Sequence, residues 1–190
     1  MRKMRFWLAA ALLVLAAAPA SATTVLRVPV EEMARGADLV VRAVVGDVLV
    51  QTDPDDSRSI RTRVRFEVRE VLKGHAAGPN LTITFPGGAN DRWTLHVPGM
   101  PAFAQGEEVV LFLERTRRGW TPAALSLGKF VVTRGDAGVS PRVRRSGADM
   151  HQVVRRDGVL QEALTTEGED EMSLDALREA VRRGIRGGAR

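Results

Sequence analysis

The chain of 190 residues contains no cysteine. This absence excludes disulfide bonds, thiolate metal sites and cysteine nucleophiles together. It also excludes a lipid anchor on a cysteine that follows an N-terminal apolar segment. The fold must therefore be held together by its hydrophobic core alone.

Residues 1–22 have the pattern of a secretory signal peptide. A basic start with Arg2, Lys3 and Arg5 precedes the uncharged apolar run Phe6–Ala18, and Ala20-Ser21-Ala22 supplies small residues for cleavage. We expect cleavage after Ala22 and export to the periplasm or the medium; a retained N-terminal anchor is the alternative. No later apolar run is long enough for a membrane span.

Lysine is scarce, so arginine carries nearly all the positive charge. The only lysines are Lys3, Lys73 and Lys129. The formal net charge of +5 falls to +2 when the three basic residues of the predicted signal peptide are removed. A near-neutral mature chain predicts neither nucleic acid nor a membrane surface as a partner.

The familiar local motifs of enzymes and metal sites are also missing. Gly128-Lys129 is no phosphate loop, because Phe130 stands where such a loop needs a hydroxyl. We expect Gly128 to have a positive φ before a strand. No Gly-x-Ser-x-Gly sequence occurs. The three histidines, His75, His96 and His151, are isolated in the sequence and form no local zinc motif. We therefore predict no bound metal, no cofactor and no catalytic residue.

The clearest element is the stretch Ile60–Leu72, which predicts a long strand. Even positions from 60 to 68 are apolar or β-branched, and odd positions from 61 to 69 are charged. The alternation breaks after Val68, as at a β-bulge. The arginines at 61, 63 and 65 predict a solvated outer face; a surface for a polyanion or an acidic protein is the alternative.

Other segments extend this strand into an all-β domain. Residues 39–50 and 80–85 alternate, and Gly46 marks a bulge or a close backbone approach. The segment 107–114 is apolar on both parities over its five residues 109–113, as in a central strand covered on both faces. Ser173 caps a helix with apolar residues at 174, 177, 181 and 185.

These patterns predict an all-β fold: a partly open antiparallel OB-like barrel of five to seven strands with a C-terminal helix. We divide the chain into a signal peptide at 1–22, a β-barrel domain at 23–145, and a C-terminal linker and amphipathic helix at 146–190.

One loop is the best candidate for binding. It runs from Gly87 to Phe103 and contains prolines at 98 and 101, which stiffen it. Rigid loops that carry aromatic residues are frequent binding sites. The candidate binding residues are Trp93, His96, Met100 and Phe103.

Several segments resemble a group of uncharacterised exported bacterial proteins: Ala37–Val41, Val64–Gly74, Pro86–Gly88 and Gly106–Leu113. The resemblance covers about residues 37–132. More distantly, the Ala-Asp strand opening and the Phe-x-Val-x-x-Val-x-Lys-Gly strand are similar to netrin-like domains and tissue inhibitors of metalloproteinases. That similarity implies an OB-like barrel that binds proteins. Those inhibitors use an N-terminal cysteine, whereas Thr23 stands here, so no functional residue transfers.

The expected function is that of an exported, non-catalytic binding module for a protein, such as a secreted metalloprotease. The alternatives are a hydrolase with a site assembled from distant residues and a purely structural envelope protein. Carboxylates clustered around His96 in a pocket would favour the hydrolase.

Overall fold

The structure is a computed structural model. It describes residues 24–53, 56–92, 94–135, 140–147, 151–156, 159–162 and 171–188. The predicted signal peptide, Trp93 and most of the acidic segment before the C-terminal helix lie outside the described residues.

Thirteen strands and two α-helices are present in the described residues: β1 Thr24–Leu26, α1 Val30–Gly36, β2 Leu39–Asp53, β3 Asp56–Lys73, β4 Asn80–Pro86, β5 Gly88–Ala89, β6 Thr94–Leu95, β7 Glu108–Thr116, β8 Gly119–Pro122, β9 Lys129–Thr133, β10 Arg142–Arg145, β11 His151–Arg156, β12 Val159–Glu162, β13 Glu171–Ser173 and α2 Leu174–Gly187. A 3₁₀ turn, Leu125–Gly128, precedes β9.

The main sheet is antiparallel and has eight strands in the described residues, one more than the upper limit of the prediction. Its order is β13-β10-β9-β7-β2-β3-β4, and β8 also pairs with β7. β8 approaches β4, but no backbone pairing joins them in the described chain, so the sheet stays open. The predicted partly open, antiparallel all-β fold with a C-terminal helix is confirmed.

Two smaller sheets accompany it. β1, β11 and β12 form one, with β1 parallel to β11, and β5 pairs with β6 in the other. Within the segment predicted as a linker, β13 joins the main sheet beside β10.

The alternation in β3 has the predicted register. Val64 and Phe66 are fully buried, while Arg61, Arg63 and Arg65 are exposed. The bulges also occur where expected. Arg69 has no opposite residue on β2, because Arg42 pairs with Glu70 and Ala43 pairs with Val68. A second bulge includes Gly46, where an added Cβ would lie 3.2 Å from the carbonyl oxygen of Arg65.

β7 is the central strand, and its two faces supply two cores. Val109, Leu111 and Leu113 pack on the inner face of the curved sheet with side chains from β2, β3 and β4. Val110 and Phe112 pack on the opposite face, which α1 and α2 cover. The run of apolar residues on both parities therefore reflects burial on both sides.

Helix α2 closes the second core as its apolar stripe predicts. Leu174, Leu177 and Val181 are buried, whereas Ile185 is exposed. The Ser173 hydroxyl accepts a hydrogen bond from the Ala176 N–H at 3.1 Å and caps the helix. On the same helix, the Arg178 guanidinium donates to both carboxylate oxygens of Glu70 on β3, at 3.1 and 2.7 Å.

Lys73 and Gly74, at the end of the segment Val64–Gly74 discussed above, have structural roles. The Lys73 ammonium donates to the carbonyls of Ala34, Arg35 and Ala37, at the C-terminal end of α1. Gly74 has φ +79°, and an added Cβ would meet the Asp38 carbonyl oxygen at 2.2 Å. These residues join α1 to the sheet.

Candidate binding groove

A large open groove lies on the inner side of the main sheet, with a volume of about 1350 Å³. One wall is the inner face of the paired strands β2 and β3, which we call the β2–β3 arm; Val48, Val50 and Thr62 lie on it. The opposite wall is formed by β9 and β10, through Val131 and Arg144. We call this cavity the groove, and the described residues 87–92 and 94–107, most of which border it, the mouth loop.

The mouth loop is held by hydrogen bonds at both ends. At its start, the Gly87 N–H donates to the Ile60 carbonyl at 2.8 Å, and the Thr62 hydroxyl donates to the Gly87 carbonyl at 2.7 Å. At its end, the Gly106 N–H donates to the Val45 carbonyl at 2.8 Å. Both ends are therefore tied to the β2–β3 arm.

The middle of the loop is held as well. The Met100 N–H donates to the Val97 carbonyl at 3.1 Å, and the turn between them contains Gly99 with φ +80°. The Gly99 carbonyl accepts from the Ser126 N–H at 2.9 Å. Because these bonds fix the backbone, a ligand that bound at this loop would meet a reduced ordering cost.

The four predicted binding residues have different surroundings. His96 is exposed and borders the groove. Met100 and Phe103 also border it, but both are partly buried and pack against the inner core. Trp93 lies outside the described residues. The structure thus brings three of the four together at one opening.

Phe103 is part of an aromatic cluster. Its ring centroid lies 5.2 Å from that of Phe66 in an edge-to-face arrangement and 5.0 Å from that of Phe85. Such contacts add to simple area burial. Phe103 therefore anchors the mouth loop to the core and presents only part of its surface to the groove.

A buried ion pair lies at the base of the groove. The Lys129 side chain is 5% exposed, and its ammonium binds the two carboxylate oxygens of Glu107 at 2.9 and 2.8 Å. The ammonium also donates to the Ala102 carbonyl at 2.6 Å and lies 4.7 Å from the Phe103 ring centroid. Lys129 thus joins β9 to the mouth loop through charge and hydrogen bonds.

The prediction for Gly128 is wrong: its φ is not positive. Glycine is required there because an added Cβ would lie 2.1 Å from the Ala123 carbonyl oxygen. The positive φ angles occur instead at Ala124, with 51°, and Leu125, with 58°. This strained turn leads into the 3₁₀ turn that places Ser126 and Lys129 beside the groove.

Ser126 and Lys129 are three residues apart, both buried, and both border the groove. A serine nucleophile next to a lysine base would require a lysine with a free lone pair. The Lys129 ammonium instead donates to Glu107 and Ala102. This arrangement favours a structural role for the lysine.

Sequence reasoning missed the groove walls. Val48, Val50 and Val131 follow ordinary strand patterns, and nothing local marks them as binding residues. Arg144 stands in an arginine-rich segment, where the composition suggests only solvation. The parity of β2 gave no signal either, because the bulge at Gly46 turns Val48 and Val50 to the face on which Thr62 lies.

The arginine row of β3 points away from the groove, on the outer face. Arg65 forms an ion pair with Asp47 at 2.9 Å. This agrees with the predicted solvated face and separates these charges from the groove.

Within the described chain, no group of three or more His, Cys, Asp and Glu side chains converges in a way that suits a metal ion. No helix in the described ranges is long and apolar enough to cross a membrane.

Comparisons with protein family models, with curated proteins and with solved structures found no match to this chain. The groove must therefore be interpreted from its own geometry.

Proposed function

We propose that this protein is an exported, non-catalytic binding module that holds a segment of a partner protein in the groove. The observation that carries the proposal is a wide, mostly apolar cavity with a border already fixed by hydrogen bonds. Its volume exceeds the roughly 300–1000 Å³ that is usual for small-molecule pockets.

The apolar surface beside the groove supports a protein partner. Val50 is 39% exposed and lines the groove, although it lies on a strand with a well-packed interior. Exposed apolar side chains within a preformed concavity are suited to an apolar segment, because binding removes that surface from water.

Two neighbouring residues allow a matched experiment. Leu49 is 52% exposed but lies outside the groove lining, on the outer face of β2 opposite Arg63. A photo-crosslinking amino acid is placed at Val50 in one variant and at Leu49 in the other. Each variant is expressed in the native host, and its crosslinked products are identified by mass spectrometry.

We expect a partner to crosslink from Val50 and not from Leu49. The purified partner should then bind Val50→Asp at least about tenfold more weakly than Leu49→Asp, because a buried carboxylate opposes an apolar contact. Equal crosslinking from both positions, or none from Val50, contradicts the proposal.

Export is part of the proposal and is tested separately. N-terminal sequencing of the exported protein should begin at Thr23-Thr24-Val25. A membrane-bound product that still begins with Met1 contradicts it. A secreted metalloprotease is the first purified partner to test, on the family resemblance alone.

A further inference from the structure

We infer, on the basis of the function proposed above, that the bound segment is extended, mostly apolar and carries an acidic side chain that pairs with Arg144. The inference comes from the charges that line the groove. The described lining contains five ionisable residues: His96, Glu107, Lys129, Arg144 and Arg145.

Three of these five have partners within the protein. Lys129 and Glu107 neutralise each other in their ion pair. The Arg145 guanidinium donates to the Val28 carbonyl at 2.8 Å and lies 5.0 Å from the Phe130 ring centroid, on the side that the helices cover. Their charges are therefore already compensated or directed away from the groove.

Arg144 is different. It is exposed, and among the described residues it forms no hydrogen bond or ion pair through its side chain. Glu171 stands directly opposite Arg144 in the β10–β13 register, yet its carboxylate binds Arg142 at 2.5 Å. The carboxylate directly opposite Arg144 is thus paired with another arginine.

The groove therefore combines apolar walls with one uncompensated guanidinium. A guanidinium binds a carboxylate through two parallel hydrogen bonds, and a ligand that shields this pair from water strengthens it. An apolar segment without an acidic residue would cover Arg144 and leave its charge without a partner, which is costly. Charge complementarity therefore favours a segment with an acidic residue over one without.

The walls also indicate the conformation of the segment. They are strands from the two sides of the sheet, β2 and β3 on one side of β7 and β9 and β10 on the other. An extended chain advances about 3.3 Å per residue and turns alternate side chains to opposite walls. One side chain can then meet Val50 while another reaches Arg144.

The probe is a phage library of random twelve-residue peptides, selected on the mature protein. Parallel selections use Arg144→Glu and Arg63→Glu; the second is a matched charge reversal on the outer face. Selected peptides are synthesised, and their affinities are measured for the wild type, Arg144→Gln and Val50→Asp. Each affinity is measured at low and high salt.

We expect wild-type selections to be enriched in peptides with apolar residues and one Asp or Glu. The acidic preference should disappear with Arg144→Glu and persist with Arg63→Glu. Arg144→Gln should weaken a selected acidic peptide about tenfold, with a smaller loss at high salt.

Two failures are distinguishable. Peptides that bind in a Val50-dependent manner without an acidic preference, or with one that persists in Arg144→Glu, overturn the inference about Arg144 and leave the groove function standing. No selected peptide, or peptides insensitive to Val50→Asp, overturns the proposed function and the inference with it.

Discussion

The ion pair at the base of the groove leads to a quantitative prediction about stability. Lys129→Met keeps a similar side-chain length but removes the ammonium. It leaves the Glu107 carboxylate and the Ala102 carbonyl without their shared donor. Removing one partner of a buried ion pair costs about 3–5 kcal/mol. Because the Glu107 side chain retains 19% exposure, we expect a loss near the lower limit, about 3 kcal/mol.

The reverse change, Glu107→Leu, leaves the ammonium of Lys129 buried with only the Ala102 carbonyl and the Phe103 ring face. We expect a loss of about 3–4 kcal/mol, because the ammonium side chain is only 5% exposed. The double variant leaves neither charge buried alone. It should therefore be about 2 kcal/mol more stable than the sum of the two single losses predicts.

Urea unfolding of the four proteins, followed by tryptophan fluorescence, measures these free energies. The conclusion depends on the coupling between the two changes. If the losses add within about 0.5 kcal/mol, the ion pair makes no direct contribution and the reasoning is wrong.

Three further predictions concern the core, the turns and pH. Phe66→Ala should lower the free energy of unfolding by about 3–5 kcal/mol, because the side chain is fully buried and contacts an aromatic cluster; a loss below about 1 kcal/mol in urea unfolding would show that the register of β3 is misassigned. Gly74→Ala should destabilise the protein far more than Gly106→Ala. Both glycines have φ near +80°, but of the two only Gly74 would place an added Cβ against backbone, at 2.2 Å. Equal thermal melting temperatures of the two variants would contradict the steric explanation. The hydrogen bond from Arg178 lowers the pKa of Glu70, so the corresponding stabilisation is present above the unfolded-state pKa of about 4.3 and is lost as pH falls through the lower folded-state pKa. Urea midpoints measured from pH 6 to pH 2 should fall less steeply in Arg178→Gln than in the wild type, and parallel profiles would refute this assignment.

The sequence alone determined the secondary structure of the central elements. Alternation in β3, apolar residues on both parities in β7 and the serine cap of α2 are local consequences of backbone geometry, and each predicted element is present. The bulges were also visible, because a parity break near Arg69 and a glycine at position 46 interrupt otherwise regular patterns.

Only the tertiary structure decided the roles of the side chains at the candidate site. The sequence predicted a loop from Gly87 to Phe103, which is most of the mouth loop, but it did not distinguish Phe103, which packs on the inner core, from His96, which is exposed. The sequence pattern predicted a positive φ at Gly128, whereas glycine is required there because the carbonyl oxygen of Ala123 leaves no room for a Cβ. That contact depends on the path of a folded turn.

The groove depended even more on tertiary structure, because its walls come from residues far apart in the chain. Val50 on β2 and Arg144 on β10 border the same cavity although 94 positions separate them. No periodicity records such a contact: a side-chain pattern reports which face a residue occupies, while the order and curvature of the strands decide what that face meets. The sequence therefore determined the central strands, and the arrangement of those strands in the folded sheet determined the site.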